Sequence, residues 1–143
     1  SFPWQWSGDE YFGDNSVAEI AKSLPSVPAG RGVVEMADLF SKTSVVLCPY
    51  LDEGFGMVVA EAAASGCRVV AFGQGGVVES GRAEHVTLVP PGDVVAFNDA
   101  VCAALAAGPV SQDSRAHAAG LYSPENSVLA YRDHLRRRLD VLK

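Results

Sequence analysis

Two short apolar runs, Ser44–Cys48 and Arg68–Phe72, and a third strand-like segment, His85–Val89, alternate with longer stretches that have helical spacing. A strand that is apolar along its length offers no polar face to water and must be covered on both sides. Strands separated by helices do not pair as hairpins. They pair in parallel, through crossovers that lay helices on the sheet. The expected fold class is therefore α/β, a three-layer α/β/α arrangement around a parallel sheet.

The intervening segments carry helix signals. Asn15 can cap a helix through about Ser23, stopped by Pro25. Glu35–Thr43 has helical spacing at Met36, Leu39 and Phe40. Gly56–Ala64 is apolar and Ala-rich, with Gly66 as its stop signal. A short helix is expected over Val77–Ser80, and Asp93 caps a longer one through about Ala107. After Pro109 two more helices are expected, the second opening at Ser123-Pro124-Glu125 and ending in Arg136–Arg138. Phe2–Trp6 reads as a strand.

The chain has 143 residues, 48% of them hydrophobic, which suffices for the core of one domain. A formal charge of −6 argues against a nucleic-acid partner, which requires a basic face. An anionic ligand is still compatible, because a helix N-terminus binds anions without net positive charge. Cys48, Cys67 and Cys102 form no Cys-x-x-Cys pair, and the first two read as small buried hydrophobes. His85, His117 and His134 are widely separated and read as surface or capping residues. No apolar run approaches the roughly 20 residues of a membrane-spanning helix.

Ligands of parallel α/β sheets bind beyond the carboxyl ends of the strands. Two loops qualify, Pro49–Gly56 and Gly73–Gly76. The first contains Glu53-Gly54-Phe55-Gly56-Met57-Val58, with a second acid at Glu61. Gly54 and Gly56 permit close backbone approach to a ligand. The N–H groups of Phe55, Gly56, Met57 and Val58 are expected to lie free at a helix start, where the dipole favours an anion. Glu53 and Glu61 frame that anion site, and carboxylates accept well from sugar hydroxyls. Glu61 stands in a run, Met57–Ala64, that is otherwise without charge and reads as buried, and a lone acid there needs a partner.

These residues resemble the signature of the GT-B glycosyltransferases of family 4, an acid-Gly-Phe-Gly segment with a second Glu after seven intervening residues. Ala62–Gly66 followed by Val69–Ala71 resembles that family's helix-to-strand passage. Gly75-Gly76-Val77-Val78-Glu79 resembles its Gly-Gly-x-x-Glu loop, and Leu88–Asp93 its next strand and turn. The likeness extends over residues 27 to 107. It implies a Rossmann-like domain, one half of a GT-B fold. Glu53 would then be the catalytic residue, contacting hydroxyls of the transferred sugar. Glu61 would hold the nucleotide ribose, and the backbone of Gly54, Phe55, Gly56, Met57 and Val58 the donor's phosphates and sugar. Gly30, Arg31 and Gly32 fall where the base-contacting loop belongs, and Gly75, Gly76 and Glu79 complete the donor site. The family's basic pair that grips the diphosphate has no counterpart here. Cys67-Arg68 and Arg82–His85 also depart from its pattern.

The resemblance implies a retaining transfer of a sugar from a UDP-, GDP- or ADP-sugar to an acceptor hydroxyl in a longer protein. Residues 1–143 would be its single C-terminal domain, with 111–143 as C-terminal helices and an acceptor-binding N-terminal domain as partner. No Asp-x-Asp motif appears, so neither a metal nor another cofactor is expected. The location implied is cytoplasmic, with contact at the inner membrane face open to the whole protein. The alternatives are a non-catalytic nucleotide-sugar-binding module and a GT-B-like epimerase or phosphorylase. A dinucleotide-dependent oxidoreductase is disfavoured, since no Gly-x-Gly-x-x-Gly follows a strand.

Overall fold

The computed structural model describes residues 32–141. The expected strand Phe2–Trp6 and helix Asn15–Ser23 lie outside them. The chain divides into two compact units, Ser1–Met36 and Ala37–Lys143. Helix α1, Val33–Ser41, begins in the first and ends in the second. It starts two residues earlier than the apolar spacing suggests, for a local reason. The Glu35 carboxylate reaches back to accept from the Gly32 N–H at 2.6 Å, and the Gly32 carbonyl accepts from Met36 N–H at 3.0 Å. Glu at the third helical position is half of a capping box.

The second unit is built on a three-stranded sheet of β1 (Val45–Cys48), β2 (Arg68–Phe72) and β3 (Val86–Val89). The order is β1-β2-β3 and both pairings are parallel, with Val46 opposite Val69 and Val70 opposite Thr87. The four residues from Val69 to Phe72 are all buried, as a strand covered on both faces must be. Val70 and Phe72 face a core cluster with Val89, Phe97, Val101 and Ala104. The Phe72 and Phe97 rings meet at 5.0 Å, tilted by 55°, within the range favoured by aromatic pairs. Phe97, Val101 and Ala104 belong to α4, Val94–Ala106, which covers this face of the sheet. By alternation Val69 and Ala71 point to the other face, where α2, Met57–Ala64, packs. Helix α5, Gln112–Leu121, lies against α2.

A four-residue helix α3, Val77–Ser80, links β2 to β3, and α6, Pro124–Val141, follows α5. The caps read from the sequence are in place. Asp93 Oδ1 accepts from Ala96 N–H at 2.9 Å, and Ser123 Oγ accepts from Asn126 N–H at 3.1 Å. Gly66 closes α2 with φ at +86°, a left-handed conformation that favours glycine. Residues 124–139 of α6 are exposed throughout, its arginines included.

Side chains close the helix ends at the amino edge of the sheet. The Arg68 guanidinium donates to the carbonyls of Gly108 and Ala107, at 2.8 and 3.3 Å, at the end of α4. Arg115 donates to Ser65 O at 3.0 Å, at the end of α2. His85 is buried and its Nε2 lies 2.9 Å from Ala63 O. A carbonyl only accepts, so Nε2 carries the proton. Of the two roles open to His85 in the sequence, surface or capping, the structure selects capping, inside the core rather than on the surface.

Cys48 and Cys67 are buried and Cys102 is exposed. Burial, then the Glu53 charge, pushes the Cys48 thiol from 9.0 up to about 12. Burial pushes Cys67 up to about 11, against a smaller downward pull from Arg115. At pH 8 a thiol-alkylating reagent should therefore label Cys102 alone in the folded chain, and all three cysteines after denaturation, as read by mass spectrometry. Below pH 9 both the folded and unfolded Cys48 thiols keep their proton. Between 9 and 12 only the unfolded thiol ionises, so stability should fall as pH rises through that window. Removing the ring that anchors α4, in Phe97→Ala, should cost about 3–5 kcal/mol in urea denaturation.

Candidate functional site

Parallel strands all end on one edge, so the segments after Cys48, Phe72 and Val89 share it. The first two are in direct contact, backbone against backbone. A Cβ added to Gly76 would fall onto the Gly54 carbonyl and 2.6 Å from Phe55 Cα. One added to Gly75, whose φ is +55°, would lie 2.9 Å from the Glu53 carbonyl oxygen. The Glu53–Phe55 segment thus rests on Gly75–Gly76 with no side chain between them. Gly56 is constrained differently. Its φ is +81°, and a Cβ there would meet Ser80 Oγ at 2.8 Å and Val77 Cγ2 at 3.2 Å. Gly54 has open space at the same test.

Glu53 is half-buried, and its Oε1 accepts from the Gly56 N–H at 3.2 Å. The expectation that the Gly56 N–H stands free is thereby corrected: the acid three residues before it uses that donor. The carboxylate lies close enough to the end of β1 to be felt there. Tyr50 is raised above its ordinary value by burial, then by Cys48 and by Glu53.

The first intrahelical bond of α2 runs from Ala60 N–H to Gly56 O at 3.2 Å. The N–H groups of Met57, Val58 and Val59 precede it and meet no protein acceptor among the described residues. They form the positive end of the helix. Glu61 lies one turn beyond Met57 on the same side and is exposed. Its expected placement in a buried stretch is therefore corrected. The helix buries Val59, Ala60, Ala62 and Ala63 and leaves Met57 and Glu61 in the open. A run that is apolar at seven of eight positions carries no periodicity, so its sequence could not show which face turns outward.

The carboxyl edge is therefore an open shelf. Glu53, the start of α2 and Glu61 line it, with Leu51, Phe55 and Met57 exposed beside them. Gly75 and Gly76 support it from below. Glu79 is exposed and pairs with Arg82 at 2.8 Å. Gly30 and Arg31 lie outside the described residues, and Gly32 belongs to the other unit. Of the four cations between residues 37 and 123, Lys42 pairs with Asp38, Arg82 with Glu79, and Arg68 and Arg115 cap helices. Hollows of about 480 and 270 Å³ both include Arg115 and lie at the opposite, amino edge, away from these acids. Among the described residues no cluster of three His, Cys, Asp or Glu could hold a metal, and no helix is long and apolar enough to cross a membrane.

Two residues near the shelf gave no signal in the sequence. Ser80 is fully buried beneath Gly56, and Tyr122, 42 residues further on, donates to the Ser80 carbonyl at 2.6 Å. Contacts at that separation leave no periodic trace.

The profile described as Glycosyl transferases group 1 matches residues 12–107. Among solved structures, the chain is similar to AviGT4, a glycosyltransferase involved in avilamycin A biosynthesis. The TM-score is 0.69 at 23% sequence identity, over 95% of this chain and 43% of that one. That likeness bears out the expected half of a GT-B fold. The chain thus spans less than half the length of AviGT4. No curated protein matches it.

The glycines separate by cause, and substitutions should separate the same way. Gly54→Ala should change stability by no more than about 0.5 kcal/mol. Gly56→Ala should cost at least about 1–2 kcal/mol for the left-handed backbone alone. Gly76→Ala should be the most damaging, because the obstacle is backbone rather than a movable side chain. Urea denaturation of the three variants checks the ranking.

Proposed function

This chain belongs to the glycosyl transferases of group 1, and from that premise we propose that its carboxyl-edge shelf is the donor site of a retaining glycosyltransferase. The donor is a nucleoside diphosphate sugar. The observation that carries this reading is the loop-on-loop contact that sets Glu53 beside the open N-terminus of α2, with Glu61 one turn along.

Each part has a task that its chemistry suits. The N–H groups of Met57 and Val58 receive the diphosphate. Negative charge grows on that diphosphate as the sugar–phosphate bond breaks, and fixed dipoles aimed at it lower the barrier without reorganising. Glu61 accepts from the ribose hydroxyls and Glu53 from those of the transferred sugar. Binding the Gly56 N–H occupies one face of Glu53 Oε1 and leaves Oε2 for a sugar hydroxyl. Gly30, Arg31 and Gly32 are assigned to the base, and Gly75, Gly76 and Glu79 to the rim. No metal enters this scheme. Acceptor binding is assigned to a second, N-terminal domain, and sugar transfer to the whole protein.

The described residues put two acids and no free cation at the shelf. This favours binding without turnover by residues 1–143 alone. Calorimetric titration with UDP, GDP and ADP and their sugars tests the reading. One nucleotide series should bind, and Glu61→Ala should weaken it by roughly tenfold, the worth of about one charged hydrogen bond. In the whole protein Glu53→Gln should lower kcat far more than it changes KM. Absence of binding for all three series would overturn the donor-site assignment, and sugar transfer by these 143 residues alone would overturn the assignment of acceptor binding to a second domain.

A further inference from the structure

Tyr122 reaches the shelf from behind. Its hydroxyl donates to the carbonyl of Ser80 at 2.6 Å, across 42 residues of sequence. Ser80 is the last residue of α3 and is fully buried. Among the described residues no other donor meets this carbonyl. A buried carbonyl depends strongly on its single partner. Burial also raises the Tyr122 phenol above its ordinary value, and the group stays protonated as a donor.

Helix α3 has four residues and cannot hold its own position. Both of its ends touch the motif loop. Gly76, at its start, lies under the Gly54 carbonyl and Phe55 Cα. At its end, Ser80 Oγ lies 2.8 Å from where a Gly56 Cβ would stand. A displacement of the start of α3 must move Gly54 and Phe55, because Gly76 meets them main chain to main chain, while at the far end the contact with Gly56 runs through the side chains of Ser80 and Val77. That movement turns the N–H groups of Met57 and Val58.

We propose that Tyr122 is a positioning residue for the shelf: its bond to Ser80 O fixes α3, and α3 fixes the Glu53–Gly56 backbone and the donors that follow. The part concerning ligand affinity rests on the donor-site reading above. The part concerning backbone position does not.

The test is Tyr122→Phe, which keeps the ring and removes only the hydroxyl, with its donation to Ser80 O and its contact with the Ala83 backbone. Amide NMR of the labelled chain should show shifts at Gly54–Val58 and at Gly75–Val77. Affinity for whichever of UDP, GDP or ADP binds the unaltered chain should fall roughly three- to tenfold, the worth of about one neutral hydrogen bond. Phe97→Leu, which loosens the core on the other face of the sheet, is the control for general destabilisation. It should lower Tm but leave those amides and the affinity unchanged. Unmoved amides in Tyr122→Phe, or an equal loss of affinity in Phe97→Leu, overturn the proposal. If the unaltered chain binds none of the three nucleotides, the donor-site reading fails and takes the affinity effect with it. Unmoved amides sink the positioning inference alone.

Discussion

The arrangement of this site depends on one close approach of two backbones. Glu53–Phe55 lies on Gly75–Gly76 at a separation that excludes even a methyl group on Gly76. The contact joins the ends of β1 and β2, which are already locked in register by parallel pairing. It therefore passes the rigidity of the sheet to a loop that has no regular structure of its own. Loops hold a ligand geometry poorly unless something fixes them. Here the fixing element is main chain, which has no rotamers to sample.

That constraint explains how the motif could be read from sequence and why its surroundings could not. Strand β2 was legible because burial on both faces demands apolar residues throughout. Strands β1 and β3 were legible from the same β-branched composition, although at the sheet edges they are mostly half-buried and Thr87 is exposed. The Asp93 and Ser123 caps were legible because their chemistry is local. The pairing of Gly54 with Gly76 appeared only as two glycine-rich loops, without a sign that they touch. Glu61 was placed on the right helix but on the wrong side of the solvent boundary. A helix of valines and alanines offers no stripe to orient it. Ser80 and Tyr122 were invisible, since a small buried residue and a lone tyrosine carry no pattern. His85 was read as a surface or capping group, and its burial depends on α2 and β3 meeting in space.

The two edges of the sheet treat helix ends in opposite ways. At the amino edge the last carbonyls of α2 and α4 are closed by Arg115, His85 and Arg68. The two arginines there neutralise the negative ends of their helices. At the carboxyl edge the first N–H groups of α2 stay open among the described residues, and the side chain that hydrogen-bonds at that helix start is the carboxylate of Glu53, on Gly56. A helix with one end satisfied and the other exposed keeps its dipole directed at the open end.

This asymmetry bears on how a diphosphate would be held. Glu53 and Glu61 repel a phosphate, whereas the N–H groups of Met57–Val59 attract it. The attraction amounts to roughly half a unit charge at the helix start. A diphosphate carries more than this, so the dipole alone leaves negative charge unmatched. Because the described cations of this unit up to residue 123 are engaged elsewhere, the balance must come from residues beyond them or from solvent. The acids make sense only on the sugar and ribose side of such a ligand, where neutral hydroxyls donate to them. On the proposed donor-site reading, charge would order the ligand along the shelf, with phosphates at the helix start and hydroxyls at the two carboxylates. A ligand laid in the reverse direction would place phosphate against Glu61, with no donor there to offset the repulsion.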